Sequence, residues 1–173
     1  MKKTVLFSLA VLVLSTFCTA QDEYLDKVQT LDSTIETLYA VISGEAGEKR
    51  DWDLFKYLFT ADARLIPSGP NQEGKISYRV MSPDQYIDTS GAWLEENGFF
   101  EKEIYRITES FGSLTHIFST YESYRSESDE KPFTRGINSI QLMKDSNRWW
   151  IVNIYWTGER ADNPIPEKYL PKK

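Results

Sequence analysis

Residues 135–156 read RGINSIQLMKDSNRWWIVNIYW, and this stretch decides the fold. It holds two runs rich in β-branched and aromatic residues, and the turn-forming residues 145–147 separate them. Two such runs around a short gap predict an antiparallel hairpin. The first run also carries Asn138, Ser139 and Gln141, and a buried polar group without a partner costs about 1–3 kcal/mol. One side of the hairpin is therefore expected to be wet or to line a polar pocket.

The sequence before this hairpin predicts four more strands and three helices. Apolar residues at steps of three and four predict the first two helices. Ser82-Pro83-Asp84-Gln85 has the serine cap, the first-turn proline and the glutamine of a helix start. The predicted helices lie at 23–43, 52–60 and 82–98, and the predicted strands at 63–66, 75–81, 99–111, 114–126, 133–144 and 148–157. The order ααββαββββ predicts an α+β domain with three helices packed on one face of a curved antiparallel sheet.

Three stretches resemble the nuclear transport factor 2-like superfamily, which includes ketosteroid isomerase and the SnoaL-like polyketide cyclases. They are FTADARLIP at 59–67, STYESYR at 119–125 and the hairpin at 135–156, which is similar to that of uncharacterised exported bacterial members. The resemblance implies a cone-shaped sheet around an apolar cavity, and a homodimer through the outer face of the sheet. Because this superfamily contains enzymes, binding proteins and assembly domains, the resemblance does not select a function.

The chain departs from the known enzymes of that superfamily. In ketosteroid isomerase the general base directly precedes the proline that ends the first strand, and here that position is Ile66, before Pro67. The dehydratase members use paired histidines, whereas this sequence has one histidine. The Asp-Arg-Asp arrangement of the epoxide hydrolases has no assignable counterpart on the predicted strands. The established chemistries of the superfamily are therefore not predicted for this chain.

Residues 1–20 have the pattern of a secretory signal peptide, with a basic start, an apolar run and small residues before a cleavage site near Ala20. The run is shorter than the roughly 20 apolar residues of a membrane-spanning helix. Lipidation of Cys18 is disfavoured because the large Phe17 precedes it. We therefore expect export to the periplasm or the extracellular space, a single domain at residues 21–173, and no membrane insertion after cleavage.

The composition excludes several classes of function. A net charge of −6 argues against nucleic acid and anionic membranes as partners, because both repel an acidic surface. One histidine and one cysteine cannot form a His/Cys zinc site. The sequence contains neither a D-x-D-x-D-G calcium loop nor a glycine-rich phosphate loop. No metal and no cofactor are predicted, and the expected partners are an apolar or partly polar small molecule and a second copy of the chain.

His116 is the first candidate for catalysis, since the pKa of histidine lies near neutrality. In a cavity it could act as a general acid or base with Asp53 or Glu122 as its carboxylate partner. The favoured alternative is a hydrogen-bonded structural histidine, because no partner is identifiable from the sequence. For Asp53 the favoured alternative is stabilisation of a helix N-terminus, where a negative charge meets the positive end of the helix dipole.

Aromatic and polar side chains are the candidates for a ligand pocket, which is typically apolar with a few polar groups. Asn138 shares a strand face with Ile140 and Leu142, because side chains alternate along a strand. The candidate ligand-binding residues are Tyr57, Tyr86, Trp93, Phe118, Asn138, Ile140, Leu142 and Asn153. Aromatic residues at helical spacing are also ordinary core residues. Which sheet face lines the cavity depends on the strand register, which the sequence does not give.

Three hypotheses for the function remain at this point. The first is an exported protein that binds a small molecule in a pocket. The second is an enzyme of the cyclase, isomerase or dehydratase type, with His116 and a carboxylate as acid and base. The third is a dimerisation domain whose interior is filled by side chains. A cavity between helices and sheet would favour the first two over the third.

Overall fold

The structure is a computed structural model and describes residues 23–172, so the predicted signal peptide lies outside the described residues. After a 3₁₀ turn at Leu25–Lys27, the helices are α1 (Leu31–Ile42), α2 (Trp52–Tyr57) and α3 (residues 83–97). The strands are β1 (Phe59–Pro70), β2 (Ile76–Tyr78), β3 (Phe100–Phe111), β4 (Leu114–Tyr124), β5 (Thr134–Lys144) and β6 (Trp149–Gly158), and a 3₁₀ turn at Glu167–Tyr169 follows. No helix in this range is long and apolar enough to cross a membrane.

The six strands form one sheet in the order β2-β1-β6-β5-β4-β3, which confirms the predicted α+β fold. The decisive hairpin forms with Asn138 opposite Trp156 and Ile140 opposite Ile154. Among the six strands that the structure describes, β1 and β6 alone pair in parallel. The predicted first strand was too short, because β1 continues to Pro70 through the turn-prone segment, where pairing with β2 holds it extended. Sheet pairing here outweighs local turn propensity.

Helix α3 begins as the sequence predicts, with a capping box between Ser82 and Gln85 and proline in the first turn. It consists of α-helical Pro83–Tyr86, π-helical Ile87–Gly91 and α-helical Ala92–Asn97. A Cβ on Gly91 would lie 3.2 Å from the Trp52 ring, so the absence of a side chain lets α3 pack closely on α2. The π segment is a local irregularity of the kind that often occurs at functional sites.

The core lies between the three helices and one face of the sheet. Its fully buried side chains include Val28, Ile35, Phe55, Leu58, Ile117, Ile140, Leu142 and Ile151. The buried Arg50 guanidinium donates to the carbonyl oxygens of Ile42 at 3.2 Å, Gly44 at 2.7 Å and Leu94 at 3.3 Å. These bonds satisfy carbonyls at the end of α1 and connect them to α3. The helical layer is therefore held together by a cation as well as by apolar packing.

The C-terminal segment covers part of the opposite, outer face of the sheet. The Thr120 hydroxyl donates to the Tyr169 carbonyl at 2.6 Å, and the Phe118 and Tyr169 rings lie 5.1 Å apart. A groove of about 230 Å³ remains between the outer face and this segment. Beyond it, Phe111 and Leu114 are exposed at the end of the β3–β4 hairpin. The homodimer through this face stays a prediction.

Gly136→Ala is expected to destabilise the fold by about 1–3 kcal/mol, because a Cβ at this position has no room. It would lie 2.4 Å from the Thr157 carbonyl oxygen and 2.5 Å from the Tyr121 hydroxyl. The matched control is Gly69→Ala, since nothing lies within 4 Å of a Cβ there. Urea unfolding should show a lower midpoint for the Gly136 variant alone. Equal midpoints for the two variants would mean that β5 and β6 can separate to admit a methyl group.

Candidate functional site

A pocket of about 300 Å³ lies between the helices and the inner face of the sheet. Helices α1, α2 and α3 form one side, and strands β1 and β3–β6 form the other. Its lining is mostly apolar: Leu38, Tyr39, Ile42, Phe55, Leu65, Tyr86, Ser90, Trp93, Leu94, Phe99, Glu101, Tyr121, Ser123, Thr134, Asn138, Ile154 and Trp156. Ser90 comes from the π segment of α3, so the helical irregularity contributes directly to the pocket wall.

Aromatic rings in mutual contact build the apolar wall. The Phe55 and Tyr86 rings stack with centroids 5.4 Å apart and planes at 22°. Tyr86 meets Trp156 edge-on at 6.5 Å, and Trp93 meets Phe99 in the same way at 6.5 Å. Contacts of this kind add about 0.5–1.5 kcal/mol per pair to the apolar burial. The wall is therefore held in place without a ligand.

Glu101, on β3, places a carboxylate in this apolar surrounding. Ser123 donates to Glu101 Oε2 at 2.9 Å, and the Asn138 amide makes a long contact of 3.5 Å with Oε1. Burial raises the pKa of Glu101 to about 7, although both hydrogen bonds act to lower it. Desolvation therefore dominates, because the charged form loses its hydration. Glu101 can exchange a proton near neutral pH.

The amide of Asn138 is held by a row of hydroxyl groups. Asn138 Nδ2 donates to the Tyr39 hydroxyl at 3.0 Å, and Tyr39 lies 2.6 Å from Ser119 Oγ. Burial, followed by the nearby charge of Glu101, raises the pKa of Tyr39. Tyr39 therefore stays a neutral phenol, able to accept from Asn138 and donate to Ser119. This arrangement directs the Asn138 N–H groups towards Tyr39 and Glu101.

The row continues from the core to the surface through charged groups. Ser119 donates to Glu103, which pairs with Arg106 at 2.5 Å, and Arg106 bonds Asp32 of α1 at 2.7 Å. Residues 103 and 106 would point to opposite faces of a regular strand, but a register shift between Glu103 and Tyr105 turns both to the helical side. A β-bulge thus connects the pocket's polar groups to α1.

The predicted ligand-binding residues lie in three places: in the pocket lining, in the core beside it, and on the outer face of the sheet. Tyr86, Trp93 and Asn138 line the pocket. Ile140 and Leu142 share the inner face with Asn138 but are fully buried in the core. Tyr57 packs against the core and lies under the Arg148 guanidinium, 4.0 Å from its ring centroid.

Phe118 and Asn153 lie on the outer face. Phe118 follows Ile117, which points into the core, so alternation sends its ring to the groove beneath Tyr169. Asn153 pairs with Gln141 on β5, whose side chain is exposed. The register shift next to this pair leaves Val152 exposed and Ile151 buried. A bulge at Val152 therefore shifts the alternation of side chains along β6.

The structure does not bring His116, Asp53 and Glu122 together. Alternation along β4 puts His116 on the outer face, where Nε2 is 2.8 Å from Ser139 Oγ. The hypothesis that places His116 in the cavity is therefore not supported, and this hydrogen bond fits the favoured alternative of a structural histidine. Glu122 is on the same outer face, accepting from Tyr124 at 2.8 Å. Asp53 is exposed in the first turn of α2 and pairs with Lys56 at 3.0 Å. No pair between His116 and either carboxylate is formed among the described residues.

The sequence interpretation missed several site residues, among them Tyr39, Tyr121 and Trp156, and above all Glu101 with its donor Ser123. Glu101 belongs to FEKEIYRIT, where three consecutive charged residues at 101–103 suggest a solvated strand. The available signal was the alternation of side chains along a strand, which puts Glu101 and Glu103 on one face and Lys102 on the other. Only the pairing of Glu101 with Ser123 across β3 and β4 shows which face is buried.

Within residues 23–172, no group of three or more His, Cys, Asp or Glu side chains could hold a metal ion. The pocket's polar groups are instead hydrogen-bond donors and acceptors around one carboxylate. Such an arrangement can orient a polar group of a ligand or accept a proton from it.

Comparison with solved structures places the fold. A protein of unknown function with a cystatin-like fold from Nostoc punctiforme aligns with a TM-score of 0.56 at 11% identity, covering 76% of this chain and 90% of that one. A putative calcium/calmodulin dependent protein kinase II association domain from Xanthomonas campestris aligns with a TM-score of 0.53 at 14% identity, and the alignment covers 76% of this chain and 86% of that one. An NTF-2 like protein of unknown function from Silicibacter pomeroyi aligns with a TM-score of 0.51 at 15% identity, and the alignment covers 75% of this chain and 92% of that one.

Sequence comparisons add nothing to this picture, since no family model and no curated protein matches the chain. At these identities the structural likeness concerns the fold alone, because one fold hosts many unrelated functions. The chain therefore has the α+β fold of the nuclear transport factor 2-like, cystatin-like proteins, as its sequence predicts.

Proposed function

We propose that this protein binds a small, mostly apolar molecule that presents one polar group to Glu101. The observation that carries the proposal is a carboxylate in the lining of a largely aromatic pocket of about 300 Å³. That volume is at the lower end of the range for small-molecule sites, which are typically apolar with a few placed polar groups. The pocket therefore suits a compact ligand, such as a single ring with one substituent.

The energetics of Glu101 support a ligand. An ionised carboxylate out of water is unfavourable unless it is paired and hydrogen-bonded. Ser123 and Asn138 supply two donors, but a carboxylate has about four acceptor sites. A ligand donor would occupy an acceptor site that Ser123 and Asn138 leave unfilled. The site is thus more favourable with a polar ligand group than with apolar contacts alone.

A pocket-filling variant tests the binding function. A thermal-shift screen of compact apolar metabolites should give ligands that raise the melting temperature by several degrees at concentrations well above Kd, because they bind only the folded state. Ser90→Trp, which places an indole in the pocket, should abolish these shifts. Thr134→Trp at the same pocket provides a second filling variant in case the first does not fold.

His116→Ala is the control, since His116 lies on the outer face and should leave the shifts intact. Shifts that persist in both filling variants would place binding elsewhere and contradict the proposal. A screen without any shift would favour the dimerisation domain that carries no ligand.

The pKa of Glu101 favours acid–base catalysis as the second candidate function. A general base works best with a pKa near the operating pH, and Glu101 titrates at about 7. In this form Glu101 replaces His116 as the proton acceptor, with the Tyr39 and Tyr121 hydroxyls in the same pocket. Turnover of a bound compound should rise with pH around 7 and vanish in Glu101→Gln. If a ligand binds and is not converted, catalysis is contradicted and only the binding function remains.

Export and homodimerisation complete the proposal. Residues 1–20 support cleavage near Ala20 and release into the periplasm or the extracellular space. Cell fractionation followed by N-terminal sequencing tests this, and an uncleaved cytoplasmic product would contradict it. The resemblance to nuclear transport factor 2-like proteins supports a dimer through the outer face. Light scattering on a size-exclusion column measures the oligomeric state directly.

A further inference from the structure

We infer that the ligand of the pocket is a cation, in which an ammonium group binds Glu101 and an apolar body fills the aromatic space. This inference rests on the proposed binding function and names the ligand class of the same pocket. Its basis is the charge and the ring arrangement of the lining, which differ from those of a pocket for a neutral or anionic molecule.

The charge of the pocket comes from Glu101 alone. Among the described residues that line the pocket, no other Asp or Glu and no Lys, Arg or His side chain occurs. The nearby cations have other partners. Arg106 pairs with Glu103 and Asp32, and Arg125 lies 4.6 Å from the ring of Trp93, which is 42% exposed, and 4.2 Å from the Phe133 ring. Glu101 therefore has no cationic partner within the described part of the protein.

The other titratable groups that line this pocket with Glu101 are phenols. Tyr39 comes from α1, Tyr86 from α3 and Tyr121 from β4, and burial together with the charge of Glu101 raises the pKa of each. They stay neutral at physiological pH. An anionic ligand would meet an unpaired carboxylate and no cation, so it is repelled. A neutral ligand would leave the carboxylate charge uncompensated.

The aromatic rings provide the second attraction for a cation. Tyr86 and Trp156 line the pocket, and the faces of their rings carry the negative part of the ring quadrupole. Pockets that combine aromatic faces with a carboxylate are suited to ammonium ions, because cation–π attraction grows when the ion is desolvated. The same rings accommodate the apolar body of the ligand. Both features of the lining thus favour one class of molecule, a compact apolar amine.

Three seven-carbon probes of nearly equal shape test the inference: cyclohexylmethylammonium, cyclohexylmethanol and cyclohexanecarboxylate. The ammonium probe should bind the protein about ten- to a hundredfold more tightly than the alcohol at pH 8, because a charge-assisted hydrogen bond replaces a neutral one. The carboxylate probe should be the weakest. In Glu101→Gln the preference for the amine over the alcohol should disappear, while the alcohol should still bind.

Proton release gives a second readout that does not depend on the preference alone. At pH 6 most of the Glu101 carboxyls hold a proton, and a bound ammonium ion requires the ionised form. Calorimetry in two buffers of different ionisation enthalpy should therefore show nearly one proton released per amine bound at pH 6, and almost none at pH 8.5. The amine affinity should rise about tenfold from pH 6 to pH 8. Glu101→Gln should show neither effect.

The outcomes separate this inference from the proposed function. If the amine and the alcohol bind equally and both lose binding in Ser90→Trp, the inference that the ligand is a cation is overturned. The pocket then remains a binding site. Binding of the amine that survives Ser90→Trp would overturn the inference, because the site would then lie elsewhere. Failure of all three probes to bind would contradict both.

Discussion

Glu101→Gln should stabilise the folded protein by on the order of 3 kcal/mol at pH 8 and should leave its stability unchanged below pH 4.5. Burial raises the pKa of Glu101 from 4.5 to about 7 in the folded state. Between these values the folded protein holds a proton that the unfolded chain has lost, so wild-type stability falls as pH rises through this window. Glutamine resembles the protonated acid and cannot ionise, so the variant avoids this loss.

The measurement is urea unfolding from pH 4 to pH 8.5, compared between the variant and the wild type. Glu109→Gln is the matched control, since Glu109 is exposed on the same strand and should change little. All other carboxyls titrate alike in the wild type and in Glu101→Gln, so their contribution cancels in the difference between the two free energies of unfolding. A difference that stays constant with pH would show that the Glu101 carboxyl is solvated, and the argument for a ligand cation would lose its electrostatic basis.

The folding pattern was predictable because it depends on local spacing. The hairpin at residues 135–156 has turn formers between two β-rich runs, and Ser82 with Gln85 caps a helix through contacts three residues apart. Both features follow from neighbours in the chain. The bulges in β3 and next to Val152 are different, because they depend on how strands pair. Each bulge inverts the alternation of side chains beyond it, so the spacing of residues alone does not give the faces of β3 and β6.

The site was less predictable, because its contacts join distant parts of the chain. Alternation grouped Asn138 with Ile140 and Leu142 on one strand face, and the structure shows that this is the buried face. Its partner Tyr39 lies 99 residues away along the chain, and Tyr39 in turn reaches Ser119 across 80 residues. Sequence spacing carries no information about such pairs. His116 attracted attention because of its residue type, whereas Glu101 owes its properties to burial, which only the folded structure provides.

Phe55→Ala should be the most destabilising single change in the pocket region, at about 3–5 kcal/mol. Phe55 is 1% exposed and its ring contacts three others: Tyr86 at 5.4 Å, Phe59 at 4.9 Å and Trp52 at 5.7 Å. Removing it takes away the apolar burial and leaves a cavity that these rings cannot fill without moving. For a domain of this size, the melting temperature should fall by roughly 10 °C.

Phe111→Ala is the control for this substitution, because the Phe111 side chain is 86% exposed and its loss should cost less than about 0.5 kcal/mol. The pocket itself should respond as well, since Tyr86 stacks on Phe55 and would lose the contact that fixes its ring. At temperatures where Phe55→Ala is folded, compact ligands should bind more weakly than they bind to the wild type. Bulkier homologues should gain affinity relative to compact ligands, because the pocket is larger. The stability of Phe55→Leu should lie between that of the wild type and that of Phe55→Ala. If Phe55→Ala and Phe111→Ala are equally mild, the helices do not pack on the sheet through Phe55, and the pocket wall must be held by other contacts.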